Sequence, residues 1–436
     1  MDRAGNRASP KFDKLFDEPG SSNCIKGFYD EVAKDKTKFS LFQRKESRIY
    51  HMRNLSNWIK GTLIARYLDL VYERKRGDRV DILDLCCGKG GDQKKWQVGR
   101  VDHVTFVDIS NASVDICKER YESLKSGKSR NRLYSADFMV HDCTTPLNLG
   151  RFYSIVSCQF ALHYAFETID KARNLLRNSS QALEEGGYFL VTLPNAYEIL
   201  KRLKQSKDGR SFGNSVYSII FDKSHTAHHP PSLFGERYHF QLEGVVDCPE
   251  YLVYPPLLID MAKEVCLECV EGPLPFAAFM RRAMQDRPEN MDLLRTMDAL
   301  ELWPSLYTSR HSPPLPSLPH YGSRRRDRSR SPIDQCERTT GQNAEGKSIV
   351  SMTIADDYAH VEKRQDSLCL PVGTISKQEW EAFCVYCVFV FKKVTSNKRF
   401  TGSNQQIPES LLQLLTYKGA KYAHPMTNQN NYRHRD

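Results

Sequence analysis

The chain has 436 residues, of which 40% are hydrophobic and 27% are charged, a balance that supplies a folded core and excludes disorder throughout. This length exceeds one average domain, and we expect one catalytic domain that carries a large insertion. The formal net charge of +10 favours an anionic partner, because lysine and arginine bind phosphates largely by releasing condensed counterions.

The amino-terminal residues and the 13 cysteines indicate an intracellular protein. The segment MDRAGNRASPKF lacks the apolar stretch of a secretory signal, and the longest apolar run, residues 382–391, is too short to span a bilayer. An odd number of cysteines in a long chain favours reduced thiols over a disulfide framework.

Two C-x-x-C pairs raise the question of a zinc site. Cys384 and Cys387 lie in the strand-like run FCVYCVFVF, where side chains three residues apart point to opposite faces and pack in a core. Cys266 and Cys269 fit one face of a helix, but no second ligand pair with zinc-finger spacing accompanies them. The sequence predicts no metal site, with zinc at this pair as the alternative.

Hydrophobic periodicity predicts helices first and then alternating strands and helices. Residues 44–73 carry an apolar helical face that comprises Trp58, Ile59, Leu63, Ile64 and Tyr67. From residue 81, short apolar runs alternate with amphipathic stretches such as 114–124 and 169–183, the pattern of a mostly parallel sheet covered by helices. The strand candidates are VDILDLC, DHVTFVDI, RLYSADF, YSIVSCQF and GYFLVTLP.

The second half of the chain changes character three times. Glycine, aromatic residues and β-formers alternate over 211–247, which predicts a strand-rich insertion, and residues 250–303 have a helical pattern. Residues 304–346 are rich in Pro, Ser and Arg and lack the apolar density needed to offset the entropy of ordering. The run EWEAFCVYCVFVFKK predicts a helix that leads into a final strand, followed by a loose polar tail.

A glycine-rich turn after the first strand candidate predicts a cofactor site. The run DLCCGKGGD, Asp84 to Asp92, lies between a strand and a helix, and open α/β sheets bind ligands at that edge. Asp108 follows Gly88 by 20 residues (108 − 88), the offset of a carboxylate that grips ribose hydroxyls. A dinucleotide dehydrogenase shares these features, but Gln93 stands where its third glycine belongs. A carboxylate at Asp84 suits a sulfonium-bearing amino acid, so S-adenosylmethionine fits better than NAD.

Two further polar residues follow successive strands of this predicted sheet. Asp142 comes after the third strand candidate, in a position suited to an adenine amino group, and Gln159 ends the fourth, beside the expected methionine moiety. Either one read alone is equally consistent with a polar turn residue. Their recurrence at adjacent strand ends favours the cofactor interpretation.

The motifs DLCCGKGGD, SCQFALHY and EGVVDCPEYLVYPPLL occur in this order, and with them the chain resembles the eukaryotic mRNA cap guanine-N7 methyltransferases over residues 26–393. The resemblance implies a Rossmann-like class I methyltransferase fold, α/β with a mostly parallel seven-stranded sheet flanked by helices and a strand and helix insertion for cap binding. It also implies S-adenosyl-L-methionine as the cofactor and 5'-capped RNA as the substrate.

The family's functional residues carry over onto this chain by motif. The matching cofactor positions are Lys60, Cys86, Gly88, Asp108, Asp142, Gln159 and Tyr164. The matching cap positions are Ser56, Asn57, Lys89, Lys95, Arg120, His163, Glu250 and Tyr386.

Several of these assignments depend on the resemblance. His163 alone reads as a strand-end histidine, Tyr386 as a core aromatic residue and Arg120 as a solvated helix residue. Two positions depart from the family pattern: Cys86 stands where glycine or alanine is common, and Ser56 replaces one asparagine of a pair. A cysteine is small enough that we expect cofactor binding to survive.

The chemistry implied is methyl transfer without a general base. Guanine N7 carries a free lone pair at neutral pH, so we expect no acid–base residue and a rate that comes from positioning by His163, Glu250 and Tyr386. Two alternatives remain at this point: a non-catalytic cap-binding scaffold protein, and a methyltransferase for another nucleic acid or a small molecule.

The expected organisation has four parts. Residues 1–25 form a disordered extension, residues 26–304 and 349–393 the methyltransferase domain, residues 305–348 a disordered insertion, and residues 394–436 a polar tail. Within the insertion, SRRRDRSRSP is a solvated linker or a nuclear-targeting or RNA-contacting segment that contains Ser329 and Ser331.

The expected setting follows from capping. We expect a monomeric catalytic chain in the nucleus, with the RNA polymerase II transcription and capping machinery and a small activating subunit as partners, and no membrane.

Overall fold

The computed structural model describes the chain in five stretches: residues 22–34, 47–127, 132–223, 231–300 and 375–395. No helix in these stretches is long and apolar enough to cross a membrane.

Almost all of the described residues belong to one compact unit, Met1–Ala299 with Gln378–Asp436. A second unit, Leu300–Lys377, falls almost entirely outside the described ranges. The predicted insertion at 305–348 lies wholly outside them, as do most of the predicted extension at 1–25 and tail at 394–436.

The described part alternates helices and strands along the chain. The helices are α1 (Ser22–Lys34), α2 (Tyr50–Lys75), α3 (Gln93–Val98), α4 (Asn111–Ser126), α5 (Ile169–Ala182), α6 (Ala196–Gln205), α7 (Pro255–Glu264), α8 (Phe276–Asp286), α9 (Glu289–Thr296) and α10 (Lys377–Phe383), with a 3₁₀ helix at Leu162–Glu167. The strands are β1 (Asp81–Leu85), β2 (His103–Asp108), β3 (Ser135–Val140), β4 (Tyr153–Gln159), β5 (Leu183–Pro194), β6 (Ser211–Gly213), β7 (Tyr217–Phe221), β8 (Arg237–Leu242), β9 (Val246–Tyr251), β10 (Leu267–Pro275) and β11 (Tyr386–Lys393).

A seven-stranded sheet forms the centre, with strand order β10-β11-β5-β4-β1-β2-β3. Strands β1 to β5 pair in parallel, and β11 is antiparallel to both β5 and β10. Every residue of β2 is buried, the pattern of a strand covered on both faces. The predicted mostly parallel seven-stranded sheet is confirmed, and its parallel strands place their carboxyl ends along one edge.

A second sheet has four antiparallel strands in the order β6-β7-β8-β9. It confirms the strand-rich insertion predicted for 211–247. Strand β9 packs against the 3₁₀ helix that follows β4, so the second sheet lies beside the carboxyl edge of the first.

The helical prediction for residues 250–303 is wrong at 250–251, which end β9, and for Leu267–Pro275, which form β10. The run pairs with the apolar strand β11, and this tertiary pairing outweighs its weak helical pattern. Gly272 sits at φ 127, with Phe389 and the backbone of Val388 so close that a Cβ would clash. The third predicted strand also begins later than RLYSADF, at Ser135.

The C-x-x-C pairs are split between elements. Cys266 precedes β10 with a positive φ of 60 while Cys269 lies inside it, so the expected shared helix face is wrong. Cys387 is a fully buried residue of β11, as predicted, but Cys384 lies just before that strand. In the stretches that are described, no group of three or more His, Cys, Asp or Glu side chains is arranged to hold a metal ion.

Candidate active site

The turn after β1 brings backbone and carboxylate together. Cys86, Gly88 and Gly90 have φ values of 53, 51 and 70, the left-handed region in which only glycine is free of strain. Gly88 N–H donates to Asp108 Oδ2 at 2.8 Å, and Ser110 N–H donates to Oδ1 at 2.9 Å. A Cβ on Gly88 would meet nothing within 4 Å, so a ligand can approach this backbone closely.

The Asp108 carboxylate is held in place but keeps acceptor capacity for a ligand. It is 8% exposed, and burial raises its pKa although the backbone N–H groups of Ser110, Gly88 and Ile109 oppose that rise. A carboxylate has about four lone-pair sites, so these donors leave acceptor capacity. Asp108 can therefore accept a hydrogen bond from a neighbouring hydroxyl group.

A buried cluster of charges lies behind the turn. Asp92 pairs with Lys60 at 2.8 Å and Lys95 at 2.7 Å. Burial raises the pKa of Asp92, but the two ammonium groups outweigh burial and hold that pKa well below its usual range. Asp84 accepts from Trp96 Nε1 at 3.0 Å, and burial followed by the charge of Asp92 raises its pKa.

Helix α2 presents one face to the site. Arg53, Ser56, Asn57 and Lys60 recur at helical spacing and line the same cavity. The first turn of α2 is fixed from outside, because the buried Glu379 accepts a hydrogen bond from Met52 N–H at 3.0 Å. The predicted helix at 44–73 is thus confirmed over residues 50–73 and continues to Lys75, and these polar side chains face the glycine-rich turn.

The ends of the next strands add polar groups. Asp142 Oδ1 accepts from Thr144 N–H at 2.9 Å and from its hydroxyl at 2.7 Å, a local turn that holds the carboxylate at the cavity wall. The Gln159 amide bonds to Thr192 on β5 and to Leu190 O, so the sheet already uses its hydrogen bonds. Cys86 also lines the cavity, with its thiol in reach of two other cysteines.

Helix α1 covers one side of the cavity. Tyr29 OH lies 2.9 Å from Tyr164 OH, which lies 3.4 Å from Cys248 Sγ. Lys89 Nζ donates to Val32 O at 2.8 Å, and Arg120 donates to Lys89 O at 2.7 Å. The glycine-rich turn is therefore tied to α1 on one side and to α4 on the other.

A buried carboxylate lies at the opposite end. Tyr238 and Glu250 are directly opposite in the β8–β9 register, and Tyr238 OH donates to Glu250 Oε2 at 2.9 Å. His163 Nε2 lies 3.3 Å from Glu250 Oε1, and both residues are at most 2% exposed. His163 Nδ1 has no hydrogen-bond partner among the described residues. A buried polar atom without a partner carries a desolvation cost that a ligand can relieve.

Aromatic side chains form the wall beside that carboxylate. Tyr386 packs against Phe160 at 5.0 Å and Phe276 at 5.6 Å between ring centroids. Burial raises the pKa of the Tyr386 hydroxyl well above its usual range, and the nearby Glu250 raises it further. The aromatic wall therefore stays neutral where Tyr386 lines the cavity.

One cavity of about 410 Å³ joins these parts, a size typical of small-molecule sites. Every predicted site residue lines it except Lys95, namely Ser56, Asn57, Lys60, Cys86, Gly88, Lys89, Asp108, Arg120, Asp142, Gln159, His163, Tyr164, Glu250 and Tyr386. Lys95 instead binds Asp92, Asn57 Oδ1 and Gly91 O. The ion pair with Asp92 holds the Lys95 ammonium group behind the residues that line the cavity.

Sequence reasoning missed several polar residues of this site, and three of them are instructive. Tyr29 lies on the short helix α1, whose contact with Tyr164 no local pattern encodes. Tyr238 could not be predicted from sequence because its role depends on strand pairing with Glu250. Asp92 closes the motif DLCCGKGGD, and an acid beside glycines and two lysines was a usable signal of a buried ion pair.

Comparison with known proteins identifies a family for nearly the whole of the described structure. The model of the mRNA (guanine-N(7))-methyltransferase domain matches residues 18–394. The chain belongs to this family.

Curated relatives extend that match across animals and plants. An mRNA cap guanine-N(7) methyltransferase of Drosophila melanogaster is 35% identical over 362 residues, which covers 80% of this chain and 73% of the fly protein. That of Caenorhabditis briggsae is 33% identical over 84% of this chain and 86% of its own length. The mRNA cap guanine-N(7) methyltransferase 1 of Oryza sativa subsp. japonica is 38% identical over 60% of this chain and 70% of its own length.

Solved structures share less with this chain. The crystal structure of an S-adenosylmethionine-dependent methyltransferase from Clostridium acetobutylicum gives a TM-score of 0.36 at 14% identity, covering 49% of this chain and 83% of that chain. The fold of this member of the cap methyltransferase family is therefore described from the strand order of its own sheet.

Proposed function

We propose that the cavity holds S-adenosylmethionine at the glycine-rich turn and the cap guanine at Glu250, with the two ends facing each other. Family membership makes the chain an mRNA cap guanine-N7 methyltransferase, a transferase that uses S-adenosylmethionine. The observation that carries the two-ended arrangement is that Gly88, Asp108, Gln159 and Glu250 line one continuous cavity.

The cofactor end fits the chemistry of S-adenosylmethionine. The open backbone at Gly88 leaves room for it, and the Asp108 carboxylate retains acceptor capacity for the ribose. Lys60 faces the site beside Gly91 and is suited to the carboxylate of the amino-acid moiety. When bound, S-adenosylmethionine supplies a methyl group on a positively charged sulfur.

The cap end provides groups that match a guanine. The Glu250 carboxylate can accept hydrogen bonds from the N1 and amino groups of the base, and Tyr386 gives a flat aromatic surface, worth roughly 1–3 kcal/mol if a base stacks on it. Lys89 and Arg120 line the cavity beside the turn and supply positive charge for the triphosphate. We assign positioning roles to Ser56, Asn57 and His163.

The chain's contribution to rate is then alignment. Guanine N7 needs no deprotonation, and holding two reactants in line contributes roughly 7–11 kcal/mol in well-oriented reactions. Glu250, which is 2% exposed, balances positive charge that develops on the base.

A labelling assay tests this function. The protein is incubated with labelled S-adenosylmethionine and RNA that carries either an unmethylated guanosine cap or a free triphosphate end, and the modified base is identified after digestion. We expect label only on N7 of capped RNA. A chain that binds capped RNA and transfers no label is a cap-binding scaffold, and label on internal bases indicates another nucleic-acid substrate.

We also propose a nuclear location and association with the RNA polymerase II capping machinery and a small activating subunit, as a monomeric catalytic chain. The support is the capping function and the basic run SRRRDRSRSP. Deleting residues 320–332 is expected to reduce nuclear accumulation of a fluorescent fusion, and an unchanged nuclear signal contradicts a targeting role for that run.

A further inference from the structure

Helix α6 begins directly beside the cap end of the cavity. In the β5–β11 pair, Pro194 lies opposite Tyr386, and Asn195 N–H donates to Val385 O at 2.6 Å. The Asn195 side chain then caps α6 by accepting from Tyr197 N–H at 3.1 Å. The helix therefore starts two residues after the end of β5, the strand that pairs with β11 and places Pro194 opposite Tyr386, the proposed guanine-stacking residue.

The outer face of α6 carries one aromatic residue and a row of lysines. Ile199 and Leu203 are buried against the protein, whereas the exposed positions follow helical spacing. We name this exposed row the α6 stripe, which consists of Tyr197, Lys201, Lys204 and, just after the helix, Lys207.

The stripe has a surplus of positive charge. Residues 196–210 contain five Lys and Arg against two Asp and Glu, a net charge of +3 (5 − 2). Glu198 pairs with Arg202 at 2.9 Å and lies 3.3 Å from Lys201, and Asp208 accepts backbone N–H groups of the following turn. One carboxylate thus serves two cations and the other serves the turn, while Lys204 and Lys207 are exposed.

The helix is also held rigidly in place. Arg202 donates to Tyr217 OH at 2.5 Å and to Glu381 O at 2.7 Å, which links the second turn of α6 to β7 and α10. Lys201 and Lys204 stand about 9 and 13 Å along the helix axis from its cap, at 1.5 Å per residue. Fixed cations at these distances can contact phosphates that lead away from the cavity.

We propose that the α6 stripe binds the RNA chain that follows the cap, with Lys201, Lys204 and Lys207 on phosphates and Tyr197 against a base. The proposal rests on the proposed function, because a guanine seated at Glu250 and Tyr386 requires its RNA to leave the cavity over an adjoining surface. Phosphates complement the charge of the stripe, and an exposed aromatic ring beside cations is typical of single-strand binding.

The experiment compares two matched lysines. Lys201 is 62% exposed and lies 3.3 Å from Glu198 three residues earlier, and Lys263 on α7 is 60% exposed and lies 3.3 Å from Asp260 three residues earlier. Lys263 precedes β10, whose first residue pairs with Lys393 at the end of β11 remote from Tyr386. The two lysines therefore differ chiefly in their distance from the site.

Methylation is measured with a cap dinucleotide and with a short capped single-stranded RNA. Lys201→Glu is expected to raise KM for capped RNA about threefold, and Lys201→Glu with Lys204→Glu about tenfold, with a smaller salt dependence of KM. KM for the dinucleotide, and both KM values of Lys263→Glu, stay at the wild-type level.

Three results overturn the proposal. The first is a KM for capped RNA that is the same in the double variant and the wild type. The second is a rise in KM that is the same for the dinucleotide and the capped RNA. The third is a rise in KM for capped RNA in Lys263→Glu that equals the rise in Lys201→Glu. If the wild type methylates neither substrate, the proposed function fails, and fluorescence anisotropy with uncapped RNA still tests the stripe. In that measurement the double variant must bind more weakly than Lys263→Glu. If the double variant binds an acidic peptide more weakly than Lys263→Glu does but binds RNA equally well, the stripe belongs to a protein partner and the RNA assignment is refuted.

Discussion

The two ends of the cavity are built in different ways. At the cofactor end, the glycine-rich turn and Asp108 lie within one strand–turn–helix–strand unit, and backbone N–H groups hold the key carboxylate. At the cap end, Glu250 is held by side chains from separate elements, namely His163 and Tyr238. The comparison teaches that a cofactor site can be local in sequence while its substrate site depends on packing between sheets.

The buried carboxylates at the two ends also differ in the groups that surround them. Asp92 at the cofactor end is compensated by Lys60 and Lys95, whereas Glu250 has a tyrosine hydroxyl and an imidazole beside it. Burial raises the pKa of Tyr238 well above its usual range, and Glu250 raises it further, so this tyrosine stays a neutral donor. If the ends are independent, variants at one end should leave binding at the other intact.

The largest effect is expected at the cap end. Glu250→Ala removes the acceptor for guanine and should lower kcat/KM for capped RNA about 100-fold, since hydrogen bonds to charged groups contribute about 1.5–3 kcal/mol. S-adenosylmethionine affinity, measured by calorimetry, should change less than about twofold, because Glu250 makes no hydrogen bond to the glycine-rich turn or Asp108 in the described structure.

Two controls accompany this variant. Ala leaves the Tyr238 hydroxyl without its acceptor, so a loss of stability of about 1–3 kcal/mol is expected and is measured by urea unfolding. Glu250→Gln keeps an acceptor for Tyr238 and should recover that stability without recovering activity. Equal losses of cap methylation and cofactor binding refute the division between the ends.

The mirror variant at the cofactor end should have a somewhat smaller effect. Asp108→Asn leaves one acceptor oxygen for the Gly88 and Ser110 N–H groups and for the ribose, so S-adenosylmethionine Kd is expected to rise about 10- to 100-fold. Cap-analogue binding, followed by fluorescence quenching, should stay within about twofold.

Asp115→Asn is the control for this variant, because Asp115 is exposed on the neighbouring helix α4 and bonds only locally to Asn111. Its affinities for cofactor and cap should equal those of the wild type. Loss of cap-analogue binding in Asp108→Asn, absent from Asp115→Asn, contradicts independence of the ends.

The smallest effect concerns stability and pH. The pKa of Asp84 is raised in the folded protein, first by burial and then by the charge of Asp92, so its ionisation destabilises the fold. That cost is absent below the unfolded-state pKa of about 4, grows as pH rises, and is complete above the raised pKa. Asp84→Asn should therefore match the wild type near pH 4 and exceed it by about 1–3 kcal/mol near pH 8.

Urea unfolding of the apo protein across this pH range measures the difference. Asp78→Asn, at an exposed position just before β1, is the matched control and should show no pH-dependent gain. A gain for Asp84→Asn that is largest at low pH contradicts the sign of the pKa shift.

The cofactor end could be predicted from sequence because its determinants are periodic or closely spaced. The strand DILDL, the turn DLCCGKGGD and Asp108, 20 residues after Gly88, fix a glycine turn and a carboxylate at one sheet edge. The roles of His163, Glu250 and Tyr386 came only from resemblance, since their spacing in the chain says nothing about contact. The cap assignment of Lys95 also came from resemblance and stays a prediction, because Lys95 pairs with Asp92 and does not line the cavity.

By itself, the sequence determined the alternation of strands and helices, the parallel central sheet and the strand-rich insertion, because side-chain periodicity and glycine conformations are local properties. Only the tertiary structure decided that residues 267–275 form a strand, that Tyr238 faces Glu250, that Tyr29 meets Tyr164 and that α6 starts beside Tyr386. Each of these depends on pairing between segments far apart in the chain, where the partner's surface rather than local preference sets the outcome.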